Sequence, residues 1–154
     1  MRTIIFLLLA LGVMGFIFVM SATPGNESAK LSGIFVKIFT ALIPPFDVLT
    51  GDKREGALII LSFLVRKAAH FTEFALLGGF ISSAFHASRK KKTIGFFLAL
   101  LIGVLYAISD EFHQSFVPGR EMAAFDVCVD SAGVLLGAGL ATLFARGERR
   151  RGRK

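Results

Sequence analysis

The feature that most constrains this chain is its division into long uncharged runs separated by short bursts of charge. Residues 3–20 and 93–109 contain no charged side chain, and 123–145 contains only Asp126 and Asp130. A helix that crosses the hydrocarbon core of a bilayer needs about 20 mostly apolar residues, so each of these segments reads as a membrane span. The stretch 56–87 is also apolar but is interrupted by Arg66, Lys67, His70 and Glu73. A straight helix of that whole length would overshoot the hydrocarbon at ~1.5 Å rise per residue. We therefore expect residues 56–65 at or above the interface and a fourth span over about 66–85.

Composition agrees with a membrane setting. Of 154 residues, 54% are hydrophobic and 19% charged, too apolar for a soluble domain that must cover its surface with polar groups. Seventeen phenylalanines stand beside no tryptophan and one tyrosine, Tyr106, so interfacial anchoring leans on Lys and Arg. The net charge of +7 sits in two clusters flanking apolar runs, Arg89, Lys90, Lys91 and Lys92, then Arg146, Arg149, Arg150, Arg151, Arg153 and Lys154. Such placement excludes a nucleic-acid surface and marks topology; each basic residue attracts anionic lipid by roughly 1 kcal/mol. The single cysteine, Cys128, excludes an internal disulfide and a multi-cysteine zinc site, and is expected to pack as a small apolar residue.

Arg2 before an apolar run and Ser21-Ala22 after it also fit a cleaved signal peptide. The length of the run, and Met20 where a small residue is wanted, favour a retained span. Lys and Arg counts in short loops then set the orientation. With both ends in the cytoplasm, the inside holds Arg2, the 89–92 cluster and a basic tail over 146–154. The outer loops hold Lys30, Lys37, Lys53, Arg54 and Arg120, offset by Glu27, Asp47, Asp52, Glu55 and Glu121. The expected fold is an all-α, polytopic membrane protein: one domain over 1–154, a four-helix transmembrane bundle, N-in and C-in. In the outer loop 21–55, Ile34, Phe35, Ile38, Phe39 and Leu42 recur at helical spacing with Lys37 opposite. This predicts a short amphipathic surface helix over about 32–43, between Pro24-Gly25-Asn26 and Pro44-Pro45.

Charge inside a bilayer costs ~2.5–3.5 kcal/mol per group at a helix centre, so groups that incur this cost face a bundle interior and have partners. Arg66, His70, Glu73 and Leu77 share one helical face, as do Asp126, Asp130, Gly133 and Gly137. Asp110, His113 and Gln114 share a face at the end of the third span. All three stripes fall at the extracytoplasmic ends of their spans and imply a hydrated polar cavity open to the outside. Gly133 and Gly137 form a small-xxx-small pair that permits close helix approach, which makes the aspartate face the packed one. Phe116-Val-Pro-Gly-Arg120 reads as a type II turn with Pro118 at i+1 and Gly119 at positive φ. That turn aims Arg120 back toward Glu111, Asp126 or a bound anion.

Several chemistries suit these residues. His70 with Glu73 is either a general base with its orienting carboxylate, a pair of metal ligands at i, i+3, or part of a structural ion pair with Arg66. Asp110, Glu111 and His113 form an acid/base or metal-ligand cluster at a helix end. Asp126 and Asp130 need two cationic partners or one protonated carboxyl, with Arg66 or Arg120 as candidates; Lys67 is expected to snorkel to the interface. Candidate catalytic residues are thus His70, Glu73, Asp110, Glu111, His113 and Asp126; candidate binding residues are Arg66, Gln114, Arg120 and Asp130. A divalent metal is the one cofactor these groups suggest. A proton relay across the membrane is disfavoured, since 76–85, 95–105 and 134–144 hold no ionisable group on which it could continue.

In order, the strings Arg66-Lys67-Ala-Ala-His70-Phe-Thr-Glu73, Asp110-Glu111-Phe-His113-Gln114-Ser-Phe-Val-Pro-Gly-Arg120 and Asp126-Val-Cys-Val-Asp130-Ser-Ala-Gly133 resemble the VanZ family. The resemblance covers about 66–137, and the first span and loop fit its layout. Family members usually carry Asn at the position of Asp130 and Tyr at that of Phe74, so Asp130 adds an ionisable group. The resemblance implies a protein of the bacterial cytoplasmic membrane linked to low-level resistance to teicoplanin-type glycopeptides. Two functions follow as expectations. One is a binding protein whose outer cavity recognises a lipid-linked envelope molecule or a lipoglycopeptide among membrane lipids. The other is an intramembrane enzyme, a metal-assisted hydrolase or transferase, acting on a lipid-linked substrate.

Overall fold

The computed structural model describes residues 1–42, 50–88 and 92–151 and consists of five helices: α1 (Arg2–Ser21), α2 (Gly25–Leu42), α3 (Asp52–Ala87), α4 (Lys92–Gln114) and α5 (Ala124–Arg151). No strand occurs among the described residues, as the all-α expectation requires. Among the described residues, three helical segments are long and apolar enough to cross a membrane: Arg2–Ser21, Thr93–Gln114 and Ala124–Ala145. Their outward faces are apolar, with Leu8 63%, Leu101 57% and Leu143 61% exposed. Uncovered leucine on this scale calls for a lipid surround rather than water.

The fourth expected span lies within α3, which is a single helix of 36 residues. It has no break between 56–65 and 66–85, because nothing in its sequence interrupts it: it holds no proline. At ~1.5 Å per residue it is roughly 54 Å long. Its second half makes the core. Phe74, Leu77 and Ile81 are buried against Ile17 of α1, Ala99 and Ala107 of α4, and Val134 and Ala138 of α5. Residues 52–65 contribute no buried side chain.

Small residues hold α3 against α5. A methyl added at Gly78 would sit 2.5 Å from the Val134 carbonyl oxygen; at Gly133 and Gly137 it would strike the backbones of Phe71 and Ala75. The backbones approach this closely because those positions lack a Cβ. Below the seam, the Ser82 and Thr142 hydroxyls lie 3.3 Å apart, and Thr142 Oγ1 donates to the Ala138 carbonyl at 2.8 Å. The glycine-lined aspartate face of α5 is therefore its packed face.

The amphipathic helix is longer than expected. α2 starts at Gly25, inside the Pro-Gly-Asn string that the sequence alone places in a loop, because the Pro24 carbonyl accepts from the amides of Glu27 and Ser28 at 3.0 and 2.9 Å. Proline suits a helix start, where its missing N–H leaves no bond unmade. Ile34, Phe35 and Ile38 face outward, while Ser32 and Val36 are buried. The expected end of that helix at Ile43, the Pro44-Pro45 pair, the cluster residues Arg89, Lys90 and Lys91, and the tail 152–154 lie outside the described residues. α5 continues as helix through Arg151, taking in most of the segment read as a basic tail.

Candidate functional site

Helix ends bring the polar residues to one end of the bundle. Ser21 closes α1, Asp110, Glu111 and Gln114 close α4, Asp126 and Asp130 open α5, and Arg66 to Glu73 lie alongside on α3. The turn after α4 is the expected one: Gly119 has φ 75° and the Arg120 amide donates to the Val117 carbonyl at 3.1 Å. The Gly25 amide donates to the Pro118 carbonyl at 3.0 Å, which ties α2 to this turn. A side chain at Gly25 would collide with the Gly119 backbone.

A buried network runs inward from that turn. Arg120 Nη1 donates to Gln114 Oε1 at 2.8 Å; Gln114 Nε2 donates to Asp110 Oδ2 at 2.8 Å and to Ser21 Oγ at 3.2 Å. Ser21 Oγ donates to the same Asp110 oxygen at 2.9 Å. Ser21 is 0% and Asp110 3% exposed, so each polar atom in this chain needs the partner it has. Arg120 is also held by the backbone, through Nε to Thr23 O at 3.1 Å and Nη2 to Met20 O at 3.3 Å. It meets neither Glu111 nor Asp126, contrary to expectation, because the carbonyls at the open end of α1 reach it first. Burial lowers the pKa of this guanidinium, an effect the Asp110 charge opposes; arginine remains a cation throughout.

The structure separates residues that spacing had grouped. His113 is not in the polar cluster. Its ring stacks on Phe18 of α1, with centroids 4.5 Å apart and planes 11° from parallel, because α1 packs on that side of α4. Asp126 pairs with Lys67 rather than with Arg66 or Arg120, and Lys67 lies over the Phe63 ring at 5.1 Å instead of only snorkelling. Glu111 Oε1 accepts from the Ala123 amide at 2.6 Å and caps the start of α5. Among the described residues, His70 and Glu73 make no hydrogen bond to each other and Arg66 has no ion pair; His70 Nδ1, Glu73 Oε2 and Arg66 Nε are buried without partners there. Cys128 is exposed on the outside of α5 rather than packed.

One grouping arises only in three dimensions. His70 of α3, Asp110 of α4 and Asp130 of α5 bring potential ligand atoms within 4.8 Å of one another. Residues to which the sequence assigns no part in the site also matter here. Ser21 supports Asp110, and its signal was a hydroxyl at the end of an otherwise apolar run. Tyr106, singled out only as the lone tyrosine, donates to the Met14 carbonyl at 2.6 Å and fastens α4 to α1.

Beside this network lies a groove of about 470 Å³ between α2 and α3. Leu31, Phe35 and Val65 supply apolar wall, and Arg66, His70, Glu73 and Arg120 supply its polar part. Leu31 and Phe35 are also exposed on the outer surface, so the groove reaches the face that lipid would cover. A family model described as VanZ/LLP1 matches residues 6–145, whereas no curated protein and no solved structure matches the chain.

Proposed function

The chain belongs to the VanZ/LLP1 family, and from that premise we propose that it is a four-span protein of the bacterial cytoplasmic membrane that binds a lipid-linked anionic envelope molecule in the α2–α3 groove. In this arrangement α1, residues 66–85 of α3, α4 and α5 cross the bilayer, both ends are cytoplasmic, and the groove opens toward the outer leaflet. The observation that carries the proposal is the pairing of apolar walls with unneutralised cations. Among the described residues, Arg66 has no ion pair and Arg120 is bound only by an amide and two carbonyls. Against these two charges the groove sets the single carboxylate of Glu73. An acyl or prenyl chain fits along Leu31, Phe35 and Val65, and a phosphate suits guanidinium donors. Occupying such a lipid at the outer surface would alter how a teicoplanin-type lipoglycopeptide reaches its target, which is the role the family resemblance implies.

Arg66→Gln is the informative variant, since among the described residues Arg66 makes no ion pair and its buried Nε has no hydrogen-bond partner. In a susceptible Gram-positive host, wild type should raise the inhibitory concentration of teicoplanin. Native mass spectrometry should show it retaining a polyprenyl phosphate over a neutral lipid of equal length. Arg66→Gln, at equal membrane abundance, should lose both. Protection by Arg66→Gln equal to wild type, or none by wild type, would sink the proposal.

A further inference from the structure

The three residues brought together from α3, α4 and α5 have no assigned role in lipid binding, although His70 borders the groove. Asp110 and Asp130 are 3% and 2% exposed, and their oxygens lie within 4.8 Å of each other and of a His70 nitrogen. Neither carboxylate is in a salt bridge among the described residues: Lys67 is taken by Asp126, and Arg120 stops at Gln114. Two carboxylates so close in a low-dielectric interior repel unless a cation or a shared proton stands between them. A second feature points the same way. His70 Nδ1 is buried and makes no hydrogen bond, so an imidazole nitrogen is left with lone-pair or proton capacity directed at nothing.

We propose that His70, Asp110 and Asp130 form a divalent-cation site of the Zn²⁺ or Mn²⁺ type. One imidazole and two carboxylates form a ligand set suited to these borderline-to-hard ions, and a charge of +2 neutralises the two aspartates. Ligand atoms held at about 2.0–2.2 Å from a common ion in a tetrahedral shell stand roughly 3.3–3.6 Å apart, which three atoms lying within 4.8 Å of one another can satisfy. The surroundings of Asp110 suit this role. Gln114 and Ser21 both donate to its Oδ2, which fixes the carboxylate and leaves Oδ1 for the ion; ligands in metal sites are oriented by such outer hydrogen bonds. His70 faces the groove, which gives the ion a way in. Gln114 is a positioning residue, with Asp110 acting for it.

The test uses the full chain in detergent, with any affinity tag removed. Metal analysis of protein purified without chelators should find about one Zn²⁺ or Mn²⁺ per chain. After chelation, Zn²⁺ or Mn²⁺ should raise Tm, and Co²⁺ should produce visible absorption bands of a His/carboxylate site. His70→Ala and Asp130→Ala should each abolish the Tm rise, Gln114→Ala should weaken binding by ~10–100-fold, and His113→Ala should leave it unchanged. Wild-type protein that takes up none of the three ions overturns the proposal, as does binding that survives His70→Ala or is lost with His113→Ala. The wild-type cobalt spectrum decides the matter even where a variant does not fold. Because the probe is the ion alone, a metal-free protein that still holds polyprenyl phosphate separates this inference from the lipid proposal.

Discussion

Glu111 shows how a carboxylate in a membrane protein can serve structure instead of chemistry. Its Oε1 receives the Ala123 amide at the residue before α5, doing from across the turn what an N-cap side chain does from within the helix. Glu111→Gln keeps an acceptor and should leave Tm in detergent almost unchanged. Glu111→Ala strands a part-buried N–H and should cost about 1–2 kcal/mol. Equal loss in both variants would show that charge, not capping, is what Glu111 supplies. The Lys67–Asp126 pair makes a contrast at the same end of the bundle. Both side chains are only about one-fifth exposed (21% and 22%), so Lys67→Met, which leaves the Asp126 carboxylate mostly buried without its cation, should lower stability by about 1–3 kcal/mol in chemical denaturation.

At the scale of helices, the seam between α3 and α5 is the most sensitive element. A methyl at Gly137 would strike the Ala75 backbone, which cannot move aside as a side chain can, whereas one at Gly12 of α1 meets nothing within 4 Å. Gly137→Ala should therefore cost about 1–3 kcal/mol, while Gly12→Ala should be neutral or stabilise by up to ~1 kcal/mol. Thermal melts of the two variants side by side check this. The seam was half legible in the sequence. Spacing placed Asp130, Gly133 and Gly137 on one face, but nothing in the spacing says that the facing residues are Phe71 and Ala75. The same holds for the polar stripes. Their existence follows from helical period, since a period survives in any packing. Their sorting depends on which neighbour covers each flank, so His113 went to Phe18, Asp126 to Lys67, and Asp130 to the vicinity of His70 and Asp110. Pro24 misled for a local reason, since Pro-Gly is equally a loop signal and a helix start until the amides that bond to its carbonyl are known.

For the whole molecule, orientation is the property on which the proposed function rests most. In a Cys128→Ser background, Ser115→Cys after α4 and Ser88→Cys after α3 place single thiols at exposed positions on opposite sides of the proposed bilayer. A membrane-impermeant maleimide should label the first in intact cells and the second only after permeabilisation; the reverse pattern would turn the site toward the cytoplasm. α3 adds a mechanical property to this layout. Its later turns are seated against α5, its first turns bury no side chain, and no proline lies between them. An unhinged helix behaves as a lever: over 52–65, roughly 20 Å long, a displacement of ~2 Å at the tip corresponds to about 5° of tilt. Whatever grips Ile59, Ile60, Phe63 and Leu64 therefore has leverage on Arg66 and His70, and a push on the far end of this one rod is felt where the polar groups converge.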